Sequence, residues 1–203
     1  SVIPTPHLDP QKTSSGLVIG ARRDAGPEHY YWRITQWMMP FFTTIPAWPG
    51  DGPVAGHAWV PADDENAWVF GITWHPARPL DAAARQAQID RKDGIYTDLE
   101  PGGFRPLRGP ETDYADPAWP VEKWRLARMR HFQDQDIAIT ESMGPIFDRT
   151  QEHLGPSDVV LMQIRNRLLA AGKALKKGEA PRINDEDWRY RPYSVKLWRS
   201  EEN

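Results

Sequence analysis

The sequence predicts an α+β fold, and three observations carry that reading. Up to residue 75 the chain is built of runs of Tyr, Trp, Phe, Ile, Val and Thr broken by Pro and Gly, which is the composition of strands and turns. The clear helical period comes only later, in residues 157–176, so strands precede helices instead of alternating with them. Ten Trp, six Tyr and six Phe among 203 residues exceed what a disordered chain carries, while a charged share of 26% keeps the surface polar. That length holds one sizeable core, and residues 1–203 are read as a single domain.

In chain order, residues 1–15 are rich in Pro, Ser and Thr and predict an extended lead-in with His7 in solvent. Residues 17–22 predict a short strand, and residues 29–44 two strands, or one bent at Pro40. Residues 45–53, IPAWPGDGP, are turn chemistry, after which residues 56–60 and 67–74 flank PADDEN as a β-hairpin. In its second arm Trp68, Phe70, Ile72 and Trp74 alternate with Val69, Gly71, Thr73 and His75, so one face is strongly apolar and is expected in the core. Residues 80–92 predict a helix capped by Asp81, and residues 94–123 a long irregular loop. The last helix is expected over residues 157–176, capped by Ser157 or Asp158, buried through Val160, Ile164, Leu168, Ala171 and Leu175, and closed at Gly178. The tail, residues 180–203, mixes aromatic and charged residues and is expected to dock on the domain or on a neighbouring subunit without deep burial.

A net charge of −3 and a pI near 6.1 give no electrostatic footprint for nucleic acid or an anionic membrane. No apolar run of spanning length and no leader pattern occurs, so the expected compartment is the cytoplasm. There is no Gly-rich phosphate loop, no G-x-S-x-G elbow, no HExxH and no cysteine for a zinc site.

Polar groups crowd residues 133–153: Asp134, Asp136, Glu141, Asp148, Arg149, Glu152 and His153. Asp148 with Glu152 and Arg149 with His153 stand four apart, which predicts either a small ionic cluster on neighbouring turns or a solvated helix face. The string QDIAITESMGPIFDRTQEHLGPSD, residues 135–158, resembles the signature near the C-terminal end of Rieske-type non-haem iron ring-hydroxylating oxygenases of the phthalate-dioxygenase-like branch. Residues 21–46, residues 56–68 and the FRP at 104–106 resemble the same branch less distinctively. The resemblance implies a helix-grip fold (START/Bet v1-like), an antiparallel sheet of six or seven strands curling around the long C-terminal helix. It also implies a mononuclear Fe(II) held in the intact enzyme by two histidines and an Asp five residues before a Glu. Asp136 and Glu141 stand in that relation, so Asp136 becomes the expected metal ligand, an oxygen donor of a facial triad, and Glu141 a supporting neighbour.

Other parts of the family pattern are missing. A Rieske [2Fe–2S] cluster needs two Cys and two His, and this chain has no Cys, so it cannot bind that cluster. The two iron histidines should lie four residues apart, but His occurs only at 7, 29, 57, 75, 131 and 153. His57 and His75, on the two arms of the expected hairpin, are the least implausible substitutes. Trp32, Trp37, Phe70 and Trp74 are candidates for an apolar substrate cavity, with a fixed core as the plainer reading. Arg22, Arg23 and Arg33 could meet an anionic aromatic acid, against the plainer reading of surface Arg on strands. The implied activity is dioxygen-dependent hydroxylation or oxidative demethylation of an aromatic substrate, with a reductase partner and a trimer-type homo-oligomer, and with this isolated chain inactive. The alternatives are a metal-free helix-grip module that binds an apolar small molecule, and a fragment whose role is only structural.

Overall fold

β-Branched and aromatic residues pair wherever a turn lets the chain reverse, and the result among the described residues is a seven-stranded sheet. The computed structural model describes residues 6–46, 50, 52–90, 96–118, 128–181 and 193–198. The strands are β1 (His7–Lys12), β2 (Gly16–Asp24), β3 (His29–Met38), β4 (Phe42–Ile45), β5 (Val54–Pro61), β6 (Ala67–Trp74) and β7 (Tyr193–Trp198). Every pairing is antiparallel; β1 to β6 follow one another across the sheet, and β7 pairs with β3. Beyond its β2 side, β3 is shared between two partners: β7 takes His29 to Ile34, and β4 takes Trp37 and Met38. At the junction between them, Thr44 Oγ1 accepts the Gln36 N–H at 2.8 Å and the Thr35 hydroxyl donates to the Thr44 carbonyl, so side chains complete the ladder there.

The chain divides into two compact units, residues 1–62, 67–79 and 152–203 in one and residues 63–66 and 80–151 in the other. In the first, helix α3 (Val159–Lys176) lies on the sheet, continuing a 3-10 turn at Pro156–Asp158. This sheet-and-helix arrangement is the α+β, helix-grip-like fold the sequence implied. Its core joins Leu17, Trp37, Met39 and Val160, with Leu8, Ile19, Val159, Ile164 and Ala171 packed around them. Directly paired residues share a face of the sheet, so Leu17 and Trp37 define the helix-facing side. The backbones of β2 and β3 approach closely at Gly16, where a Cβ would stand 1.9 Å from the Trp37 carbonyl oxygen.

The expected stripe of α3 is half right. Val160, Ile164 and Ala171 pack inward, but Leu168 is 39% and Leu175 57% exposed. Arg167 holds the inward place between Ile164 and Ala171. Its guanidinium donates to the carbonyls of Thr13 and Gly16 at 2.7 Å each, and to that of Ser14, fastening the β1–β2 turn to the helix. Asp158 does not cap α3; its carboxylate turns back to accept the Gly155 N–H at 2.8 Å. The helix closes as expected, with Gly178 at φ 79° and the Glu179 N–H on the Ala174 carbonyl.

Two further expectations gain detail and one is corrected. The lead-in contains an edge strand, β1, and the tail contains β7, whose Trp198 ring lies 4.0 Å from that of His29; the remaining tail residues 182–192 and 199–203 lie outside the described residues. The apolar face of β6 is not core: Trp68, Phe70 and Ile72 are all exposed, whereas Met38, Val54 and Ala58, on the same face of the neighbouring strands, are buried. In the second unit the helix after Asp81 is α1 (Ala82–Ile89), with Asp81 Oδ1 accepting the Ala84 N–H at 2.7 Å. The long loop holds a bridge between Leu99 and Pro106 and a 3-10 turn at Pro110–Thr112, and helix α2 (Phe132–Glu141) follows. No helix among the described residues is long and apolar enough to cross a membrane.

Candidate functional site

The motif that drew attention in the sequence folds into α2, a helix held by polar contacts. Its one buried residue is Asp134. That carboxylate accepts the His131 backbone N–H at 3.1 Å and lies 3.2 Å from His131 Nδ1, which closes the helix N-terminus. His131 is fully buried, and its Nε2, without a hydrogen bond, stands 4.0 Å from Asp98 Oδ1. Arg108 links Asp98 at 3.1 Å to Asp116 at 3.0 Å behind it. The Thr97 N–H donates to Gln133 Oε1 at 2.9 Å, and the Tyr114 hydroxyl to Glu141 Oε2 at 2.7 Å.

Tyr114 was invisible to sequence reasoning. It follows Asp113 in a left-handed pair, φ 50° and 56°, a conformation that costs a bulky residue free energy and persists only where its surroundings hold it. Here the Tyr114 N–H bonds the Gly109 carbonyl while the buried ring delivers its hydroxyl to Glu141. Burial first, and then the Glu141 carboxylate, push the phenol up to about 12.

Asp136 sits two residues beyond Asp134, about 200° around the helix, and is therefore exposed where Asp134 is buried. Its backbone carbonyl accepts the Thr140 hydroxyl at 2.7 Å; its carboxylate accepts no hydrogen bond among the described residues. It is an uncommitted oxygen donor. Glu141, by contrast, is committed to Tyr114. A facial triad needs three donors, and the described residues contain no group of three His, Asp or Glu able to hold a metal. His57 and His75 do not substitute. His57 pairs with Gly71, four residues short of His75, a separation of about 13 Å along the strand. His75 Nδ1 already accepts the Ala77 N–H at 3.1 Å. The described residues alone thus do not fit a mononuclear iron.

DRTQEH makes no helix of its own beyond a 3-10 turn at Arg149–Gln151. Within it Asp148 accepts from Thr150 and Gln151, which holds its carboxyl below the usual range. Glu152 pairs not with Asp148's turn but with Arg165 on α3. The register also divides the aromatic candidates. Trp37 lies in the helix-facing core, whereas Trp32, Phe70 and Trp74 lie on the opposite face. Arg22 falls on that opposite face too, its guanidinium 4.4 Å from the Tyr30 ring centre and 5.8 Å from that of Trp32. Arg23 and Arg33 face the helix side.

Compared with known proteins, residues 1–199 match the family model described as LigXa C-terminal domain like. The chain belongs to that family. It is similar to the 3-chlorobenzoate-3,4-dioxygenase oxygenase subunit of Comamonas testosteroni, 28% identical over 204 residues, covering 91% of this chain and 45% of that protein. It is also similar to the phthalate 4,5-dioxygenase oxygenase subunit of Pseudomonas putida, 27% identical over 180 residues, covering 86% of this chain and 40% of that protein. The chain therefore spans less than half the length of these relatives. The LigXa C-terminal-like match covers both the sheet and α2, so it joins the QDIAITE helix to the strands read as its companions in the sequence.

Proposed function

We propose that this chain is the C-terminal part of the catalytic region of a Rieske-type aromatic oxygenase. In the intact enzyme it would serve dioxygen-dependent hydroxylation or oxidative demethylation with electrons from a reductase, in a trimer-type oligomer. The observation that carries this reading is the family match through residues 1–199, combined with an uncommitted Asp136 on the helix that bears the QDIAITE motif. The two named relatives act, by their names, on 3-chlorobenzoate and phthalate, both aromatic carboxylates, which supports an aromatic acid as substrate.

In this reading the chain contributes scaffold, a substrate-facing surface and one carboxylate, and the relatives' greater length leaves room for two histidines and a cluster domain elsewhere. Asp136 would offer its oxygen to the iron, and Glu141, bonded to Tyr114, keeps the far end of α2 in place. A lone carboxylate among waters does not retain Fe(II), which stands low in the order of divalent affinities. The 203-residue chain, loaded with iron and desalted, is therefore expected to keep only trace metal, unchanged by Asp136→Ala. In the intact oxygenase the same substitution should remove the mononuclear iron and lower turnover more than about a hundredfold, with the [2Fe–2S] spectrum preserved. Full iron content and turnover in that variant would refute the reading.

A further inference from the structure

The two edges of the sheet are finished differently. β1, reading HLDPQK, carries Asp9, Pro10 and Lys12, residue types that blunt an edge against further pairing. β6, reading AWVFGITW, has no charge and no proline, and among the described residues it pairs with β5 alone. On the face it shares with Met38, the β5 residues Val54 and Ala58 are buried, and the apolar surface opens one strand further out. There Trp68 is 47%, Phe70 52% and Ile72 44% exposed. On the opposite face Val69 is exposed too, beside Trp59 of β5. A ladder edge flanked on both faces by exposed apolar side chains is a template for another strand.

We propose that β6 pairs antiparallel with β6 of a second copy, about a two-fold axis at Gly71, so that two sheets join into one. The strand is self-complementary in that register. With Gly71 opposite Gly71 of the partner subunit, Phe70 meets the partner's Ile72, Trp68 the partner's Trp74 and Val69 the partner's Thr73. Opposite residues share a face, so the pairs are aromatic or β-branched throughout, the kind that stabilises a ladder. The glycine at the axis lets the two backbones approach. A register one residue off would turn one sheet over and set Phe70 against Gly71 and Trp68 against Thr73. Charge agrees with the direction. Residues 63–65, Asp-Asp-Glu, lie in the turn that joins β5 and β6, and Arg78 follows the far end of β6. Antiparallel pairing brings the acidic turn of each copy toward the partner's Arg78, whereas parallel pairing would set acid against acid. Each large exposed side chain offers on the order of 100 Å², and with the strand backbones two copies bury about 1,200 Å² in all, the lower end for a specific contact. The dimer is therefore reversible. Its two-fold contact is also distinct from the head-to-tail contacts that close a trimer.

Sedimentation velocity of the 203-residue chain from about 1 to about 200 µM tests this, and a dimer should grow in with concentration. Phe70→Lys and Ile72→Lys, each placing a charge beside the axis, should weaken it at least about tenfold, and Lys12→Ala on the other edge should leave it unchanged. Because the chain has no cysteine, a single introduced thiol reports the register. Gly71→Cys sets two thiols about 5 Å apart at their Cα atoms, within disulfide reach, whereas Ala67→Cys holds them about 26 Å apart. Mild oxidation should cross-link the first and not the second. Circular dichroism of each variant reports whether the sheet is intact. A chain that stays monomeric over the whole range, a dimer indifferent to both lysine variants, or equal cross-linking of the two cysteine variants would overturn the pairing. So would a trimer in which Gly71→Cys fails to cross-link, since its contacts would then lie elsewhere.

Discussion

The Arg165 guanidinium meets both carboxylate oxygens of Glu152, Nη1 to Oε2 at 2.5 Å and Nη2 to Oε1 at 2.8 Å, so the end of the DRTQEH motif is tied sideways to α3. The pair raises the Arg165 guanidinium further above its ordinary range. A fork-to-fork contact of this kind fixes direction as well as distance. Replacing either partner should therefore loosen the connection between residues 152 and 158 without melting the sheet. In a double-mutant cycle, Glu152→Gln with Arg165→Met should cost no more stability than the worse single variant, and the coupling should shrink with added salt. Strict additivity in urea denaturation would show that the contact is idle.

Gly16→Ala should be among the most damaging small substitutions in the chain. Its Cβ would stand 1.9 Å from the Trp37 carbonyl oxygen and 3.0 Å from the Met38 Cα, both backbone atoms that cannot swing aside. Overpacking of this kind costs up to about 3 kcal/mol, and here it also pries at the β2–β3 ladder. Gly52, which has nothing within 4 Å of a built Cβ, serves as the control, and Gly52→Ala should shift stability by less than about 1 kcal/mol. The comparison needs only two denaturation curves.

Tyr114 should make the fold sensitive to alkali. Its phenol ordinarily ionises at 10.0 and is pushed up to about 12, first by burial and then by the bond to Glu141. Below pH 10 the phenol is neutral in both folded and unfolded chains, and its contribution is whole. Between pH 10 and 12 the unfolded chain releases a proton that the folded one keeps, so stability falls as pH rises. In Tyr114→Phe that part of the decline should vanish, leaving a flatter stability profile over the same interval. An identical profile in both proteins would mean that Tyr114 titrates as an ordinary phenol.

Much of the sheet was legible because its strands are short, aromatic and bounded by Pro and Gly; the β5–β6 hairpin and the break at Pro40 follow from that chemistry alone. What periodicity could not convey is that an arginine can occupy an apolar stripe. Arg167 displaces Leu168 from the inward row because three turn carbonyls need a donor, and hydrophobic spacing is blind to such a need. β7 was missed for a different reason: YSVKLW is too short and too polar to stand out, and only its partner β3, far away in sequence, makes it a strand. At the site, Asp136 came from the likeness of a whole motif and not from any property of a lone carboxylate. Tyr114, whose part depends on a left-handed turn and a partner in a distant helix, left no pattern to read.

The division of the outer flank of β3 between β4 and β7 has a consequence for how the protein is made. The ladders from β1 to β6 each join strands that are neighbours in sequence, so that meander can form while the rest of the chain is still emerging. The β3–β7 ladder instead joins His29 to Trp198, and its closure waits until Trp198, 169 residues later, has left the ribosome. Arg33 meets Ser194 in that last event. The stretch of β3 from His29 to Ile34 therefore stays an open edge until β7 has been made, and the time it stays open, not the final stability, sets how vulnerable the nascent chain is to pairing with another copy of itself.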